Sequence, residues 1–467
     1  MAIPPTSAYL STSGHEGISQ DEPGEPDLVS EDGRGMRSFD ITREAAIVSA
    51  EPRHPHFETP TEMSIQLPVE IWERIIDHLG ERFDPGEDMW TYGLVCRAWY
   101  HRTRFHALRH VSLTSKKAAY SLVKMMERNA YFRSAVRRIS IHDNIDVLGT
   151  ISACLARRLP KADALRIYSC EWSPGRLHPH IFMHIRATFE TVTSVFLADV
   201  AFPTTAVFGR LICSLPQLSA FTCMNVTFKR PGFRPGFISP MGRPSLTSLN
   251  ILNGEDDDSR EHAAIKDILE FVVSASMVTH LRHIGLFGCE SLNPSVSQRL
   301  VDSAAASLLS IYVVSAPLSS TSPDFLTLDF SAAINLETLT LWLDDCHLER
   351  AAECLARALP SKLREVKVVR FVDEAEDDLI DKLFDDHHVA AYTRIDQLLS
   401  GPQYKVLNEV SFELVIDVDA SDMDEIPSER IWHELFSPRL PRLRERGVLQ
   451  TAVIIDSRSN MFLPDVM

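Results

Sequence analysis

The feature that most constrains the fold is a repeated strand-like run, L-x-x-L-x-L-x-x-N/C, in which other aliphatic residues substitute for leucine. The clearest copies are "VRRISIHDN" from Val136 and "LRHIGLFGC" from Leu281, and "ADALRIYSC" fits from Ala162 with a small first residue. Most copies follow one another at or just beyond the spacing of about 20–29 residues that leucine-rich repeats show. Looser copies begin at Val192, Leu218, Leu246, Leu308, Leu336, Leu363 and Leu407.

A single strand-and-helix unit cannot bury its own apolar face, whereas stacked units share a continuous core. Helical patterns such as "HAAIKDILEFVVSAS" separate the runs. The repeat therefore predicts an α/β leucine-rich-repeat solenoid, shaped as a horseshoe, over residues 116–456. The competing interpretation is an ordinary α/β domain. Insertions are expected near residues 229–244, as a rigid surface loop, and near residues 373–400, as a solvated acidic helix and loop.

The repeat also predicts which side chains face the concave surface, because alternate residues of a strand point to opposite faces. The row after the third aliphatic residue reads His142, Tyr168, Ala198, Met224, Leu252, Phe287, Val314, Trp342, Val369, Glu413. The row between the second and third aliphatic residues reads Ser140, Arg166, Phe196, Thr222, Asn250, Gly285, Tyr312, Thr340, Lys367, Ser411. Exposed apolar rows mark partner binding, so the candidate substrate anchors are Tyr168, Phe287, Tyr312 and Trp342. A register slip of one residue would instead place these side chains in the core.

A helical unit is predicted before the repeats, at residues 64–115. In "LPVEIWERIIDHL", Pro68 fits the first turn of a helix, and Ile71, Ile75, Ile76 and Leu79 share one face. A second helix is expected in "TYGLVCRAWYH", and a third short element carries "FHAL". Three short helices have more apolar positions than they can hide among themselves, so the surplus must meet the first repeat or another protein. The alternative interpretation is that these helices only cap the open end of the solenoid.

Taken together, "LPVEIWERIIDHL…LVCRAWYHRTRFHALRHVSL" resembles an F-box over about fifty residues. An F-box followed by leucine-rich repeats is similar to the substrate receptors of cullin–RING ubiquitin ligases. The resemblance implies that the helices dock on a Skp-type adaptor, and through it a cullin, while the repeats recruit a protein substrate. The linker "GERFDPGEDM" is longer and more acidic than the family pattern. The implied adaptor contacts are Leu67, Pro68, Ile71, Ile75, Leu94, Val95 and Trp99.

Composition excludes several classes of protein. The chain of 467 residues has a formal net charge of -17, which disfavours binding to nucleic acid or to an anionic membrane surface. No apolar run is long enough for a membrane span, and the start lacks the pattern of a secretory signal. Residues 1–63 are rich in Pro, Ser, Gly and acidic residues and are expected to be a disordered tail, with a second tail at 457–467. The eight cysteines show no C-x-x-C pair, so a reduced compartment, cytoplasmic or nuclear, is expected.

Motifs of catalysis are absent from the sequence. It contains neither of the Gly-rich phosphate-binding loops, G-x-x-x-x-G-K-S/T and G-x-G-x-x-G. It also lacks H-E-x-x-H and G-x-S-x-G. Its histidine groups lack a complete set of zinc ligands, so no metal and no cofactor is expected. Three interpretations remain: a non-catalytic substrate receptor, a leucine-rich-repeat scaffold without an adaptor, and an α/β enzyme whose site is assembled from scattered residues.

Overall fold

The computed structural model describes residues 68–82, 88–173, 175, 178, 180–234, 242–252, 259–287, 294–314, 328–343, 348–358, 361–372, 386–417 and 426–456. The predicted tails at 1–63 and 457–467, and the candidate contact Leu67, lie outside these residues.

Within the described residues, three helices precede the sheet. They are α1 (Val69–Arg82), α2 (Asp88–Gly93) and α3 (Arg97–Arg109). The expected helix through "TYGLVCRAWYH" is wrong, because α2 ends at Gly93 and a turn at Leu94 and Val95 separates it from α3. Cys96 is the extended residue that begins α3. The predicted second and third elements are therefore joined in one helix from Arg97 onward.

The strands form one large parallel sheet and one small one. The strands of the large sheet are β1 (His110–Leu113), β2 (Arg138–His142), β3 (Ala164–Tyr168), β4 (Ser194–Ala198), β6 (Ala220–Met224), β8 (Ser248–Leu252), β9 (His283–Phe287), β10 (Ser310–Val314), β11 (Thr338–Leu343), β12 (Glu365–Val372), β13 (Glu409–Asp417) and β14 (Leu449–Asp456). The small sheet holds β5 (Ala201–Thr204) and β7 (Thr227–Arg230). The twelve-stranded sheet has the order β1-β2-β3-β4-β6-β8-β9-β10-β11-β12-β13-β14, and β5 pairs with β7 in the small sheet.

The strands stack in the register that the repeat predicted. Arg138 of β2 pairs with Ala164 of β3, which pairs with Ser194 of β4, and the same position continues strand by strand to Glu409 of β13. Each of these strands begins two residues after a predicted start of the repeat. The α/β repeat fold is therefore confirmed at the level of sheet and register. The sequence did not identify β1 or the small sheet.

Helices connect the strands and cover one face of the large sheet. They are α4 (Lys116–Arg128), α5 (Ala130–Ala135), α6 (Asp146–Cys154), α7 (Ile181–Thr188), α8 (Thr205–Cys213), α9 (Ser259–Ser274), α10 (Pro294–Ala304), α11 (Leu348–Arg357), α12 (Asp386–Leu399), α13 (Glu429–Phe436) and α14 (Pro441–Glu445). Their apolar residues and the aliphatic residues of the strands form one continuous core that runs from Leu108 to Leu443. The shared core is what stacked repeats require. We call the opposite face of the sheet the open face.

Turns after the strands are built alike in successive repeats. Asp143, Ser169, Asp199 and Asn225 each follow a strand directly and have φ between 49° and 61°. The backbone N–H of each donates to a carbonyl of the next strand, for example from Asp143 to Tyr168 at 3.1 Å. Asn and Asp tolerate this left-handed conformation better than most residues. The repeated turn therefore sends each chain segment away from the sheet in the same direction.

The C-terminal end of the solenoid is closed by α13 and α14. Trp432 of α13 is fully buried, its indole N–H donates to the carbonyl of Phe412 at 3.1 Å, and its ring lies 4.5 Å from that of Phe436. The buried carboxylate of Asp396 accepts hydrogen bonds from the backbone N–H groups of Arg442 and Leu443, at the start of α14. These contacts hold both short helices against the last strands.

Candidate functional site

The first candidate surface lies on the N-terminal helices. Ile71 and Ile75 are one helical turn apart on α1 and are exposed, and Val69 is more exposed still. In the turn before α3, Leu94 is 78% exposed and Val95 is 62% exposed. We call these five side chains the docking surface. Of the other contacts implied by the resemblance, Pro68 is exposed and Trp99 is half-buried, with its ring 4.7 Å from that of Trp72.

The core beneath this surface is small. It consists of Ile76, Met89 and Ala107, and Leu79, Tyr92 and Trp99 pack partly against it. Burying a large aliphatic side chain stabilises a fold by about 1.5–3 kcal/mol. Five such side chains left in water therefore deprive the folded unit of a large part of its possible stabilisation. Among the described residues, the helical unit thus exposes more large apolar side chains than it buries. Such a surface is typical of a site that a partner covers.

A polar cluster joins α1 to α3. Asp77 of α1 accepts two hydrogen bonds from Arg102 and lies 2.8 Å from Nε2 of His106, which is buried. The hydrogen bonds from Arg102, assisted by His106, outweigh the effect of burial and lower the pKa of Asp77 to about 2. Gly80 allows this close approach, because a Cβ there would overlap the His106 ring. The cluster fixes the angle between the two helices that carry the docking surface.

The cluster predicts an acid-sensitive helical unit. The pKa of Asp77 is depressed on folding, so its contribution is fully present above the unfolded pKa of about 3.9 and is lost as the pH falls towards 2. Asp77→Ala should destabilise the unit by about 1–2 kcal/mol at pH 7, chiefly because buried His106 loses a partner. Hydrogen exchange of the α1 amides at pH 7 and pH 3 measures both effects.

The matched control is Asp163→Ala, since Asp163 makes an exposed ion pair with Arg137 at 3.7 Å. Exposed pairs of this kind contribute about 0–1 kcal/mol. Equal protection of α1 in the two variants, or a difference that does not shrink on acidification, contradicts the role assigned to Asp77.

The second candidate surface lies on the open face. The rings of Phe287 and Tyr312 are 4.9 Å apart, and those of Tyr312 and Trp342 are 5.7 Å apart. They lie on the neighbouring strands β9, β10 and β11 and are all partly accessible. We call these three residues the aromatic row. The predicted anchors Phe287, Tyr312 and Trp342 are thus brought together, and none of them faces the core between sheet and helices.

The fourth predicted anchor stands apart from the aromatic row. Tyr168 of β3 stacks on His142 at 4.6 Å with an angle of 7° between the rings, and lies 5.4 Å from Phe196. Both neighbours belong to the predicted rows but were not chosen as anchors. The repeat alone places these two neighbours on the strands next to β3, and this position could have identified them as part of the aromatic group. The open face therefore has two aromatic groups rather than one.

Charges border the aromatic row on its C-terminal side. Nζ of Lys367 lies 3.2 Å from Oε1 of Glu365 and 3.6 Å from Oε1 of Glu413. Burial acts to lower the pKa of Lys367, but Glu413 and Glu365 outweigh it and hold the pKa above its usual range. Burial, with a smaller effect of Glu413, raises the pKa of Tyr312, so this hydroxyl stays protonated across the physiological range. The border on this side is polar and acidic, next to the apolar aromatic row.

Among the described cysteines, Cys96 is exposed, whereas Cys170, Cys213, Cys223 and Cys354 are buried. Burial raises the pKa of Cys170 to about 12, as expected for a structural residue that follows a strand. Cys289, the last residue of the repeat copy "LRHIGLFGC", lies outside the described residues, as does Cys346. In the described part of the chain no three His, Cys, Asp or Glu side chains are grouped to hold a metal ion. No helix there is both long and apolar enough to span a bilayer.

Comparisons with known proteins show only distant likenesses. No family model matches the chain, and no curated protein matches it. Among solved structures, the complex of Rad7 and Elc1 from yeast is similar, with a TM-score of 0.35 and 12% identity over 85% of this chain and 90% of that one. A leucine-rich-repeat protein of Leptospira interrogans has a TM-score of 0.17 and 10% identity over 66% of this chain and 75% of that one. Likenesses at this level carry no argument, and the fold rests on the strand register described above.

Proposed function

We propose that this chain is a non-catalytic, substrate-recruiting subunit of a cullin–RING ubiquitin ligase of the Skp–cullin–F-box type. The observation that carries the proposal is the docking surface. Exposed Ile71, Ile75, Leu94 and Val95 stand at positions where the F-box resemblance implies adaptor contacts, above a core too small to hold them. Burial of this surface by a Skp-type adaptor accounts for the excess of apolar side chains exposed on the helical unit. Cytoplasm or nucleus is the compartment that this role requires.

The open face supports the second half of the proposal. The aromatic row gives three adjoining rings beside a polar border, and clustered aromatic residues are common at the energetic centre of a protein interface. We assign it to a protein substrate, with Tyr168 as a separate anchor. Transfer of ubiquitin would belong to the partner subunits, so no enzymatic activity is expected from this chain alone.

A scaffold without an adaptor is the second candidate, and one observation favours it. The C-terminal half of α3 packs on the first repeat, with the guanidinium of Arg104 5.1 Å from the Phe132 ring and Phe105 6.2 Å from Tyr131. Leu108 belongs to the main core. The helices therefore do cap the open end of the solenoid. Capping uses α3, however, and leaves the docking surface on α1 and the preceding turn uncovered.

The test is co-purification of the full chain with a Skp-type adaptor. We expect stoichiometric capture by the parent chain and a loss of about a hundredfold in affinity for the Leu94→Ser, Val95→Ser variant. This corresponds to about 3 kcal/mol of lost apolar burial. Circular dichroism should be unchanged, because both side chains are in water in the free protein.

The matched control is Ile334→Ser, since Ile334 is 59% exposed but lies before β11, far along the chain from the helical unit. It should bind like the parent. Failure of the well-folded parent chain to bind the adaptor refutes the proposal and leaves the scaffold.

A further inference from the structure

The open face carries its charged side chains at its two ends. On β2 and β3 the charged residues of this face are Arg138 and Arg166. The described strands from β4 to β11 place no Asp, Glu, Lys or Arg on it. On β12 and β13 the charged residues, which we call the charged patch, are Glu365, Lys367, Glu409 and Glu413. The face is therefore polarised, and its acidic end lies next to the aromatic row.

The charged patch contains more carboxylates than cations. Three carboxylates share one ammonium group, that of Lys367, which contacts Glu365 and Glu413. Glu409 takes part in neither ion pair, although it lies beside Glu365 in the register of β12 and β13. Like charges on neighbouring strands destabilise a sheet. A cation from another molecule would relieve this repulsion.

Glu413 has a carboxylate oxygen that a partner could use. Its side chain is only 16% exposed. Oε1 accepts a hydrogen bond from the hydroxyl of Ser411 at 3.1 Å and lies 3.6 Å from Nζ of Lys367. Among the described residues, none donates to Oε2 of Glu413. A half-buried carboxylate with one oxygen unsatisfied is costly in the free protein and favours a cationic donor.

An aromatic ring lies close to this carboxylate. Trp342 pairs in register with Val369 of β12, which pairs with Glu413 of β13. Two strand spacings therefore separate Trp342 from Glu413, a distance of about 10 Å between their backbones. Tryptophan gives the strongest attraction between a cation and a ring face, and a guanidinium group can stack on a ring while it donates to a carboxylate. The pair is thus suited to an arginine side chain.

The sequence that continues from these strands is acidic as well. "DDCH" follows β11, "DEAEDDLIDKLFD" follows β12 and "VDASDMDE" follows β13, and Lys382 is the one lysine or arginine in the three stretches. These stretches lie outside the described residues. Their composition nevertheless shows that they do not supply the positive charge that the charged patch lacks.

We propose that the charged patch and the aromatic row together bind a basic segment of the protein substrate, in which an arginine stands near an apolar side chain. The guanidinium stacks on Trp342 and donates to Oε2 of Glu413, and the apolar side chain packs on Phe287 and Tyr312. Complementary charge of this kind adds specificity and speeds association. The inference rests on the assignment of the open face to a substrate, and it adds the chemical class of that substrate.

The test uses the full chain and fluorescein-labelled nonapeptide libraries that are degenerate except for Arg-x-x-Leu-x-x-Arg. Three extended residues span about 10 Å, so an arginine can reach Glu413 from a leucine on the aromatic row in either chain direction. Comparison libraries carry citrulline, which keeps the planar shape of arginine without its charge. Fluorescence anisotropy should show the arginine library binding at least about tenfold tighter, with a smaller difference at high salt.

Two variants change the charged patch in opposite directions. Glu365→Gln, Glu413→Gln should lose the preference for arginine by about tenfold and bind the citrulline library like the parent. Lys367→Gln removes the competing ammonium group and should bind the arginine library about threefold tighter. Structural damage would weaken both libraries in both variants. Melting temperatures accompany each measurement.

The matched control is Glu349→Gln, Glu353→Gln, which removes the same charge from exposed positions on α11, on the helical side of the sheet. Its arginine preference should equal that of the parent. Equal affinity of the parent for the arginine and citrulline libraries, or a preference that survives Glu365→Gln, Glu413→Gln, overturns the proposal. Dimers of the parent chain that this variant disperses, and that compete with the arginine library, overturn it in favour of a second copy of the chain.

Adaptor docking is tested separately. The Leu94→Ser, Val95→Ser variant should keep the arginine preference, because the docking surface is not part of the open face. A parent chain that captures the adaptor but shows no arginine preference refutes this inference and leaves the proposed function intact. A parent chain that prefers arginine but captures no adaptor supports the basic-segment site and refutes the proposed ligase role.

Discussion

Replacing Trp432 with alanine should lower the free energy of unfolding of the C-terminal repeats by about 3–5 kcal/mol, the usual cost of removing a large buried aromatic side chain. The indole is fully buried, touches Phe436 and donates to the Phe412 carbonyl, so its removal leaves a cavity and takes a hydrogen bond away from β13. Each repeat contacts mainly its neighbours, so the loss should remain near the end of the solenoid. Hydrogen exchange measured by mass spectrometry should show β13 and β14 losing protection while β2 and β3 keep theirs.

The same helix provides the control for this prediction. Ile431 precedes Trp432 and is 46% exposed, so Ile431→Ala should change the unfolding free energy by less than about 0.5 kcal/mol. A loss of protection spread evenly over all strands in the Trp432 variant contradicts the local character of the repeats.

Replacing Phe287 and Trp342 together with serine should weaken substrate capture by about a thousandfold. The two rings flank Tyr312 on the open face, and central aromatic residues of an interface commonly contribute about 2 kcal/mol or more each. The fold should remain, because both side chains are partly accessible and lie outside the continuous core. Quantitative mass spectrometry of captured proteins, with the melting temperature of each variant, measures both expectations.

Tyr120→Ser is the matched aromatic control, since Tyr120 is exposed on α4, on the helical side of the sheet. Its captured proteins should equal those of the parent chain. If the double variant unfolds, the rings are part of the structural core. If it stays folded and captures the same proteins, the substrate site lies elsewhere.

The register of the sheet was predictable because it depends on a pattern with period two repeated many times. Each copy of the repeat constrains its neighbours, so even "ADALRIYSC", with its small first residue, falls into place at β3. The placement of Phe287, Tyr312 and Trp342 on one face of neighbouring strands followed from that register alone. A repeat pattern that recurs in phase remains recognisable even when single copies of it are degenerate.

The helical unit was harder to predict, for a physical reason. Leu94 and Val95 were expected within a helix because apolar residues that recur at helical spacing usually share one face of a helix. In the structure they lie in an exposed turn, where a partner rather than the chain itself would supply the apolar surroundings. Apolar periodicity does not distinguish these two kinds of burial.

The contact between the segment after β7 and α9 was missed because its parts come from distant stretches of the chain. The sequence suggested only a surface loop in "FKRPGFRPGFISPMGRP", whereas its first residues form β7 and a segment whose Gly232 N–H donates to the carboxylate of Asp267 of α9. Contacts between a loop and a helix more than thirty residues later leave no periodic trace.

The uniform stacking of the strands also sets a distance scale on the open face. Tyr168 on β3 and Phe287 on β9 are separated by four strand spacings, which is about 19 Å at about 4.8 Å per strand. An extended peptide advances about 3.3 Å per residue, so a segment that crosses the strands would meet both aromatic groups with side chains about six residues apart. The sheet thus fixes the distance between the two aromatic groups. Insertions in the connecting loops leave this distance unchanged, and only the gain or loss of a whole strand between β3 and β9 would alter it.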